Sequence, residues 1–407
     1  LKFTEFGLDD GLMDGIDSMG YDEATPVQEQ VIPKILDGHD IIAAAQTGTG
    51  KTAAFLVPLI QNILWNTTDD HQVNSMVIVP TRELATQIVQ VIEGISYYTS
   101  ISCIAVYGGG DGTVFNAEKK ALTQGADIVV CTPGRLISHL NMGYVNIAKL
   151  KYLVLDEADR MLDMGFYEDL MKIIDKMPKE RQNMLFSATM PPAIRKLANG
   201  ILKNPVEINI AISKPPEQIK QEAFLVFEEQ KIPLIKNILT QRDFNSVVVF
   251  CSSKMSVKKL TAELRRAKIS ANEIHSDLEQ DKREQVMMDF RSKRLKVLVA
   301  TDLISRGIDI EDIDLVINYD VPHEGEDYVH RIGRTARAAT TGTAYTFITD
   351  QEQYKFHRIE KLLGHAVTKA VVPPEFGPTP EPKEPKARPS GSKGKKRYDK
   401  FKRKPKE

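Results

Sequence analysis

Residues 40–64 read DIIAAAQTGTGKTAAFLVPLIQNIL. A short apolar run at 40–45 gives way to a glycine-bearing loop and then to an apolar helical stretch. That order of strand, loop and helix is what a phosphate-binding loop requires. Gly48 and Gly50 let the backbone curl so that N–H groups in the loop, which also holds Thr47 and Thr49, point at phosphate oxygens. Lys51 supplies a charge for the β- and γ-phosphates, and Thr52 a hydroxyl oxygen for Mg2+. The helix that follows adds the partial positive charge of its N-terminus. One departure from the motif stands at its first position, where a glycine is usual and this chain has Ala45.

A second stretch, KYLVLDEADRML at 151–162, complements the first. Its apolar run ends in Asp156, Glu157 and Asp159. Burying that much negative charge without a cation is costly. Asp156 therefore reads as a Mg2+ holder, direct or through water, and Glu157 as the group that orients and deprotonates an attacking water.

Runs of the same kind recur along the chain: SMVIVP, ISCIAVYGG, ADIVVCTP and NMLFSAT in the first half, and NSVVVFCSS, LKVLVATD, DLVINYDVP and GTAYTFITD in the second. Short apolar runs between amphipathic stretches are the pattern of parallel strands covered by helices. The expectation is an α/β chain of two domains, at 1–208 and 221–365. A linker at 209–220 and a disordered basic tail at 366–407 complete it. A length of 407 residues, 42% hydrophobic and 27% charged, suits two soluble cores. No apolar run approaches the roughly 18 residues of a membrane span, and LKFTEFGLDD has no signal-peptide pattern. Cys103, Cys131 and Cys251 lie in or beside strand-like runs without metal spacing and read as reduced core thiols of a cytoplasmic protein. The net charge of −1 hides an asymmetry: residues 380–407 carry twelve Lys/Arg against four Asp/Glu, so the remainder carries −9. A basic end on an acidic body points to a polyanion partner.

DEAD at 156–159, TGTGKT at 47–52, SAT at 187–189 and HRIGRTAR at 330–337 together resemble the DEAD-box RNA helicases of superfamily 2, with a bacterial RhlE-like flavour. The resemblance spans roughly residues 3–350 and implies two tandem RecA-like domains with ATP and Mg2+ in the cleft between them. Arg334 and Arg337 then look like arginines that reach across to the γ-phosphate, where guanidinium forks stabilise charge on the transferring group. His330 is implied near Asp159, and Ser187 and Thr189 where they can hydrogen-bond it. The segment 3–28 resembles the family's adenine-reading stretch. Gln28 has one donor and one acceptor face to match adenine, and Phe3, with Phe6 as rival, is implied to stack on the base. Asp309 is implied at the ribose.

Polymer contacts come from the same resemblance. In the first domain they are Pro80, Thr81, Arg82, Gly109, Gly110, Thr132, Pro133 and Arg135. In the second they are Ser252, Ser253, Gln280, Arg283, Thr301 and Arg306. Small residues, hydroxyls and arginines suit a sugar-phosphate backbone and carry no base code. Ala24, Ser276, Ile304 and Ala336 depart from the family pattern without removing an assigned group. The implied activity is RNA-stimulated ATP hydrolysis with local, non-processive unwinding by a monomer. Ribosome-assembly or RNA-decay proteins are candidate partners, and no membrane is involved. A DNA translocase, an ATP-gated RNA clamp and a P-loop kinase are the alternatives, of which the kinase leaves the second domain and its arginines unexplained.

Overall fold

The computed structural model describes residues 1–45, 48–66, 73–109, 112–209, 219–242, 244–301, 313–323, 325–335 and 342–383. In the first half β1 (Ile41–Ala44), β2 (Ser75–Ile78), β3 (Cys103–Val106), β4 (Ile128–Cys131), β5 (Tyr152–Leu155), β6 (Gln182–Ser187) and β7 (Val206–Asn209) form one sheet, ordered 3-4-2-5-6-1-7. In the second, β8 (Ile219–Leu225), β9 (Val247–Cys251), β10 (Ala271–Ile274), β11 (Val297–Thr301), β12 (Leu315–Asn318), β13 (Gly342–Ile348) and β14 (Thr368–Lys369) form another. Its order is 10-11-9-12-13-8-14, the first order shifted by seven, so one topology is built twice. Every pairing is parallel.

Successive residues of a strand face opposite sides of its sheet, and here both sides are dry. Met76 and Ile78 join one apolar cluster with Leu153 and Leu155, while Val77 and Val79 join the other with Val130 and Val154. In the second sheet Val247, Val249 and Cys251 part in the same way from Val248 and Phe250. Two covered faces explain why the strands read as continuous apolar runs. The helices show the complementary spacing: in Arg82–Ile95 the buried positions are Ala85, Ile88, Ile92 and Ile95, one stripe of a 3.6-residue period.

Two boundaries are corrected. Asn209 pairs with Ala44, and Ile219 and Lys220 pair with Gly342 and Thr343, so both ends of the expected linker belong to sheets. Residues 210–218 lie outside the described chain. The expected tail also begins too early. Val367 and Val372 are buried, Thr368–Lys369 pairs with β8, and Phe376 packs on the second core. Gln230 Nε2 then donates to the carbonyls of Phe376 (2.7 Å) and Pro378 (2.9 Å), fixing the chain past the last apolar residue. Composition misjudged this stretch because its few apolar residues are spread among prolines and polar groups. Residues 384–407 lie outside the described chain.

Cys103, Cys131 and Cys251 are thiols outside any disulfide, on β3, β4 and β9. Burial pushes Cys103 up to about 11 and Cys131 further, which makes both poor nucleophiles. Among the described residues no helix is long and apolar enough to cross a membrane.

Candidate active site

In parallel sheets of this kind ligands collect at the carboxyl ends of the strands. β1 leads there into the glycine-bearing loop and the helix Lys51–Asn66. Lys51 is only 6% exposed, and its Nζ has no hydrogen-bond partner among the described residues. Thr25 caps the helix Pro26–Leu36, in whose first turn Gln28 Oε1 accepts from Thr25 N at 2.8 Å. Gln28 Nε2 donates to the carbonyl of Gly50 at 3.1 Å, tying this segment to the loop. Gly50 sits at φ +89°, and a Cβ there would meet Gln28 Nε2 at 2.6 Å, so the position requires glycine.

A cavity of 850 Å3 is lined by Phe3, Tyr21, Gln28, Gly48, Gly50 and Thr52, among others. Phe6, the rival aromatic, is not in its lining and meets Phe3 edge-on at 5.8 Å. Tyr21 stacks on Phe3 at 6.2 Å and 26°, a wall residue that sequence reasoning missed. The adjacent Gly20 at φ +70° was its available signal, since such a turn aims the next side chain. Thr47 and Asp309 lie outside the described residues, and Thr49 lies in the loop, half-buried.

The carboxylates follow β5. Asp156 is buried, and its Oδ1 accepts from Glu157 N at 2.9 Å. Burial pushes its carboxyl up to about 6, while the Lys51 charge pulls it back and Glu157 adds to the rise. Glu157 adopts φ 50°, ψ 48°, a left-handed conformation that costs a non-glycine residue roughly 1–2 kcal/mol. Its Oε2 meets Arg160 Nη1 at 3.0 Å. Asp159 Oδ2 accepts from both N and Oγ1 of Thr189, each at 3.0 Å, and Asp159 N donates to Ser187 Oγ at 3.3 Å. The structure thus brings Asp159, Ser187 and Thr189 together.

The raised Asp156 carries a stability consequence. The fold favours the neutral carboxyl relative to the unfolded chain, so the penalty is absent below the unfolded value of about 3.8 and grows as pH rises through about 6. That displacement is worth about 3 kcal/mol at most. Asp156→Asn should therefore melt several degrees above the parent in EDTA at pH 8, with the gap closing near pH 4. A parent that melts higher at pH 8 would contradict the assignment.

In the second domain the helix Gly325–Ile332 ends before Arg334, which lies in the turn that follows. Arg331 serves its own domain: Nη1 donates to Asn318 Oδ1 and to the Asp320 carbonyl, each at 3.0 Å, over the Phe250 ring. His330 and Arg334 are 9% and 8% exposed. Arg337 lies outside the described residues.

A groove of 700 Å3 is lined from both halves, by Pro80, Thr81, Arg82, Thr132 and Arg135 from the first and Ser276 and Arg283 from the second, among others. Thr81 and Thr132 begin helices, as does Ser253, placing N–H groups where a phosphate could sit. Pro133 is buried in the first turn after Thr132. Gly109 sits at φ +102°, a conformation that side chains rarely adopt, which is why the turn needs glycine; a Cβ there would also displace the movable end of Arg82, whose Nη1 lies 2.1 Å from it. Arg135 is held by the buried Glu118 at 2.6 Å and stacks over Phe115. Ser252 N and Oγ donate to Asp320 Oδ2 at 2.8 and 2.9 Å, and Thr301 is buried at the end of β11. Met164 and Phe166, between the helices Ala158–Asp163 and Tyr167–Ile174, line the same groove and were not among the residues the sequence singled out. Gly110, Arg306 and the side chain of Gln280 lie outside the described residues.

The family model for DEAD/DEAH box helicases matches residues 25–197, and that for the helicase conserved C-terminal domain matches 230–339. The ATP-dependent RNA helicase CshA of Limosilactobacillus reuteri is 41% identical over 363 residues, 89% of this chain and 72% of that one. DbpA of Bacillus subtilis, also an ATP-dependent RNA helicase, is 40% identical over 91% of this chain and 76% of its own. Dbp5 of Saccharomyces cerevisiae bound to RNA and ADP BeF3 superposes with a TM-score of 0.81 at 29% identity, covering 91% of this chain and 95% of that one. A DEAD box protein from Methanococcus jannaschii is 37% identical, covering 91% of this chain and 99% of its own, yet reaches only 0.53.

Proposed function

The chain belongs to the DEAD-box family of ATP-dependent RNA helicases, and we propose that it couples ATP hydrolysis at the Lys51 loop to clamping and local separation of RNA in the groove around Arg82 and Arg135. The observation that carries this reading is a buried Lys51, with no hydrogen-bond partner for its Nζ among the described residues, beside a cavity walled by Phe3, Gln28 and the loop glycines. Such a cation needs an anion, and a triphosphate supplies one.

Gln28 reads the adenine edge with the N–H and the lone pair that its own cap leaves over, and Phe3 with Tyr21 walls the base. Lys51 and the loop amides hold the β- and γ-phosphates. Thr52 and the desolvated Asp156 carboxyl fit a hard cation that keeps phosphate and water ligands, and Mg2+ held there would neutralise charge on the phosphates. Glu157, aimed by its left-handed backbone, takes a proton from the attacking water. Arg334, with Arg337, stabilises the transferring phosphoryl group from the second domain. The bonds from Asp159 to Thr189 and Ser187 join the catalytic turn to the segment that leads toward that domain.

ATP and RNA each favour the closed pair of domains to the extent that they bind it better than the open one. Micromolar nucleotide binding is about 8 kcal/mol, and one stacked step of duplex about 1.4 kcal/mol. One closure can therefore open only a handful of pairs. The protein works as a cytoplasmic monomer, and ribosome-assembly or RNA-decay factors are its proposed partners. ATP turnover with matched RNA and DNA strands, run beside strand displacement of a short RNA duplex, tests the reading. Stimulation by RNA at least about tenfold above DNA is expected, from contacts that need 2′-hydroxyls. Equal stimulation would favour a DNA translocase, and RNA retention without displacement an ATP-gated clamp.

A further inference from the structure

The helix Gly112–Gln124 buries only Leu122 and Glu118, so one of its two anchors is a carboxylate. A buried charge is costly unless it is paired and hydrogen-bonded. Glu118 is 1% exposed, and both of its oxygens are engaged. Oε1 accepts from Tyr107 N at 3.1 Å, just past the end of β3, where the chain turns into Gly108 and Gly109. Oε2 accepts from Arg135 Nε at 2.8 Å and lies 2.6 Å from Arg135 Nη2. It also meets His139 Nε2 at 3.0 Å. An ionised carboxylate has no proton to give, so Nε2 carries the hydrogen and Nδ1 is left to accept from the Tyr144 hydroxyl. Arg135 and His139 stand one turn apart on the helix Pro133–Asn141, as Phe115 and Glu118 do on theirs, so each pair shares a helix face. The Phe115 ring carries the Arg135 guanidinium at 4.8 Å and stacks with the His139 ring at 4.9 Å and 18°.

We propose that Glu118 is a positioning residue for RNA binding, holding Arg135 by its Nε edge so that the Nη1 end of the guanidinium is presented to the groove. The proposal rests on the RNA reading of that groove, which Arg135 lines. A guanidinium is a rigid planar fork, so fixing one edge and one face fixes the direction of the donors that remain. Glu118 fixes the edge and Phe115 the face. A mobile arginine loses side-chain entropy on meeting a phosphate, whereas one already held has little left to lose. A carboxylate near a phosphate site repels the ligand, so charge alone gives no reason for Glu118 to be there, and placement does. The bonds from Tyr107 and His139 keep the carboxylate itself from turning toward the groove.

Glu118→Gln separates placement from its alternatives. The amide keeps an oxygen for Tyr107 N and turns its NH2 toward Arg135, so donor faces donor and the guanidinium is released. Binding of labelled oligouridylate to the full chain, with a nonhydrolysable ATP analogue present, should weaken about tenfold. The slope of log affinity against log salt should become shallower by about 0.7, the share of one phosphate contact on a single strand. Maximal ATP turnover at saturating RNA should stay within about twofold, because Glu118 touches neither nucleotide nor water. If Glu118 only screens Arg135, the variant binds RNA more tightly and with a steeper slope. If it only anchors its helix, the melting temperature falls while the slope stays that of the parent. Either result overturns the proposal. Glu118→Asp keeps the charge but withdraws the carboxylate by one methylene, and it serves where the amide variant does not fold. Its RNA binding should weaken about threefold or more at the same net charge, and parental affinity would overturn the proposal. In an Arg135→Gln background, Glu118→Gln should cost no more than about a further twofold, and additive losses would show that it acts elsewhere. A parent whose turnover RNA does not stimulate overturns the groove reading as well, and that control alone tells the two failures apart.

Discussion

Arg334→Ala lowers RNA-stimulated ATP turnover by about 10^3-fold or more, while ATP affinity stays within about threefold. The asymmetry follows from where the residue sits. Arg334 is 8% exposed in the turn after Gly325–Ile332, on the domain opposite the phosphate loop. In the proposed cycle a guanidinium placed there would reach the phosphates only once the domains close, so nucleotide binding to the open form would not sense its loss. Arg331, three residues earlier, provides the contrast. Its guanidinium is held by Asn318 and the Asp320 carbonyl, so Arg331→Ala should destabilise the second domain rather than act on chemistry alone. Arg334→Lys keeps the charge but not the planar fork and should recover only part of the rate. Full turnover in Arg334→Ala, measured with saturating RNA and ATP, would end the cross-domain assignment.

These two arginines also show what sequence can and cannot separate. Both belong to one three-residue repeat, and nothing in the repeat says which faces its own sheet; Asn318 at the end of β12 and Asp320 just after it decide that, and they are brought in by topology. The strands buried on both faces were legible because Val77, Val249 and their neighbours have no polar interruption. Ala271–Ile274 was not, because Asn272 and Glu273 fall on a sheet edge where only half the positions are buried. The loop at 48–52 was legible because phosphate binding dictates residue type position by position. The pairing of Glu83 with Arg283 was not, because no local rule relates positions 200 residues apart. The Gln28–Gly50 bond lies between: a glutamine three residues after a threonine cap could be read, but its second partner could not.

Glu157→Gln should lower turnover by about 10^2- to 10^4-fold and, in ATP, hold RNA many times longer than the parent does. The amide has the shape of the carboxylate but cannot take a proton from water, so the chemical step fails while binding and closure remain. The structure supplies one complication. Glu157 Oε2 is paired at 3.0 Å with Arg160, which is 2% exposed, so the variant also removes a negative charge beside a buried guanidinium. Breaking a buried pair by neutralising one member can cost several kcal/mol. A drop in melting temperature therefore accompanies the loss of rate, and it must be measured so that unfolding is not mistaken for lost chemistry. The two are distinguished by the sign of RNA retention. Global destabilisation shortens the lifetime of the ATP–RNA complex, whereas a blocked proton transfer lengthens it, because hydrolysis is the step that reopens the domains. A competitor chase of labelled RNA in excess ATP gives that lifetime directly, with the parent releasing at its turnover rate. Release from Glu157→Gln as fast as from the parent, in a variant that remains folded, would remove Glu157 from the role of base and leave Arg160 as the reason for its strained backbone.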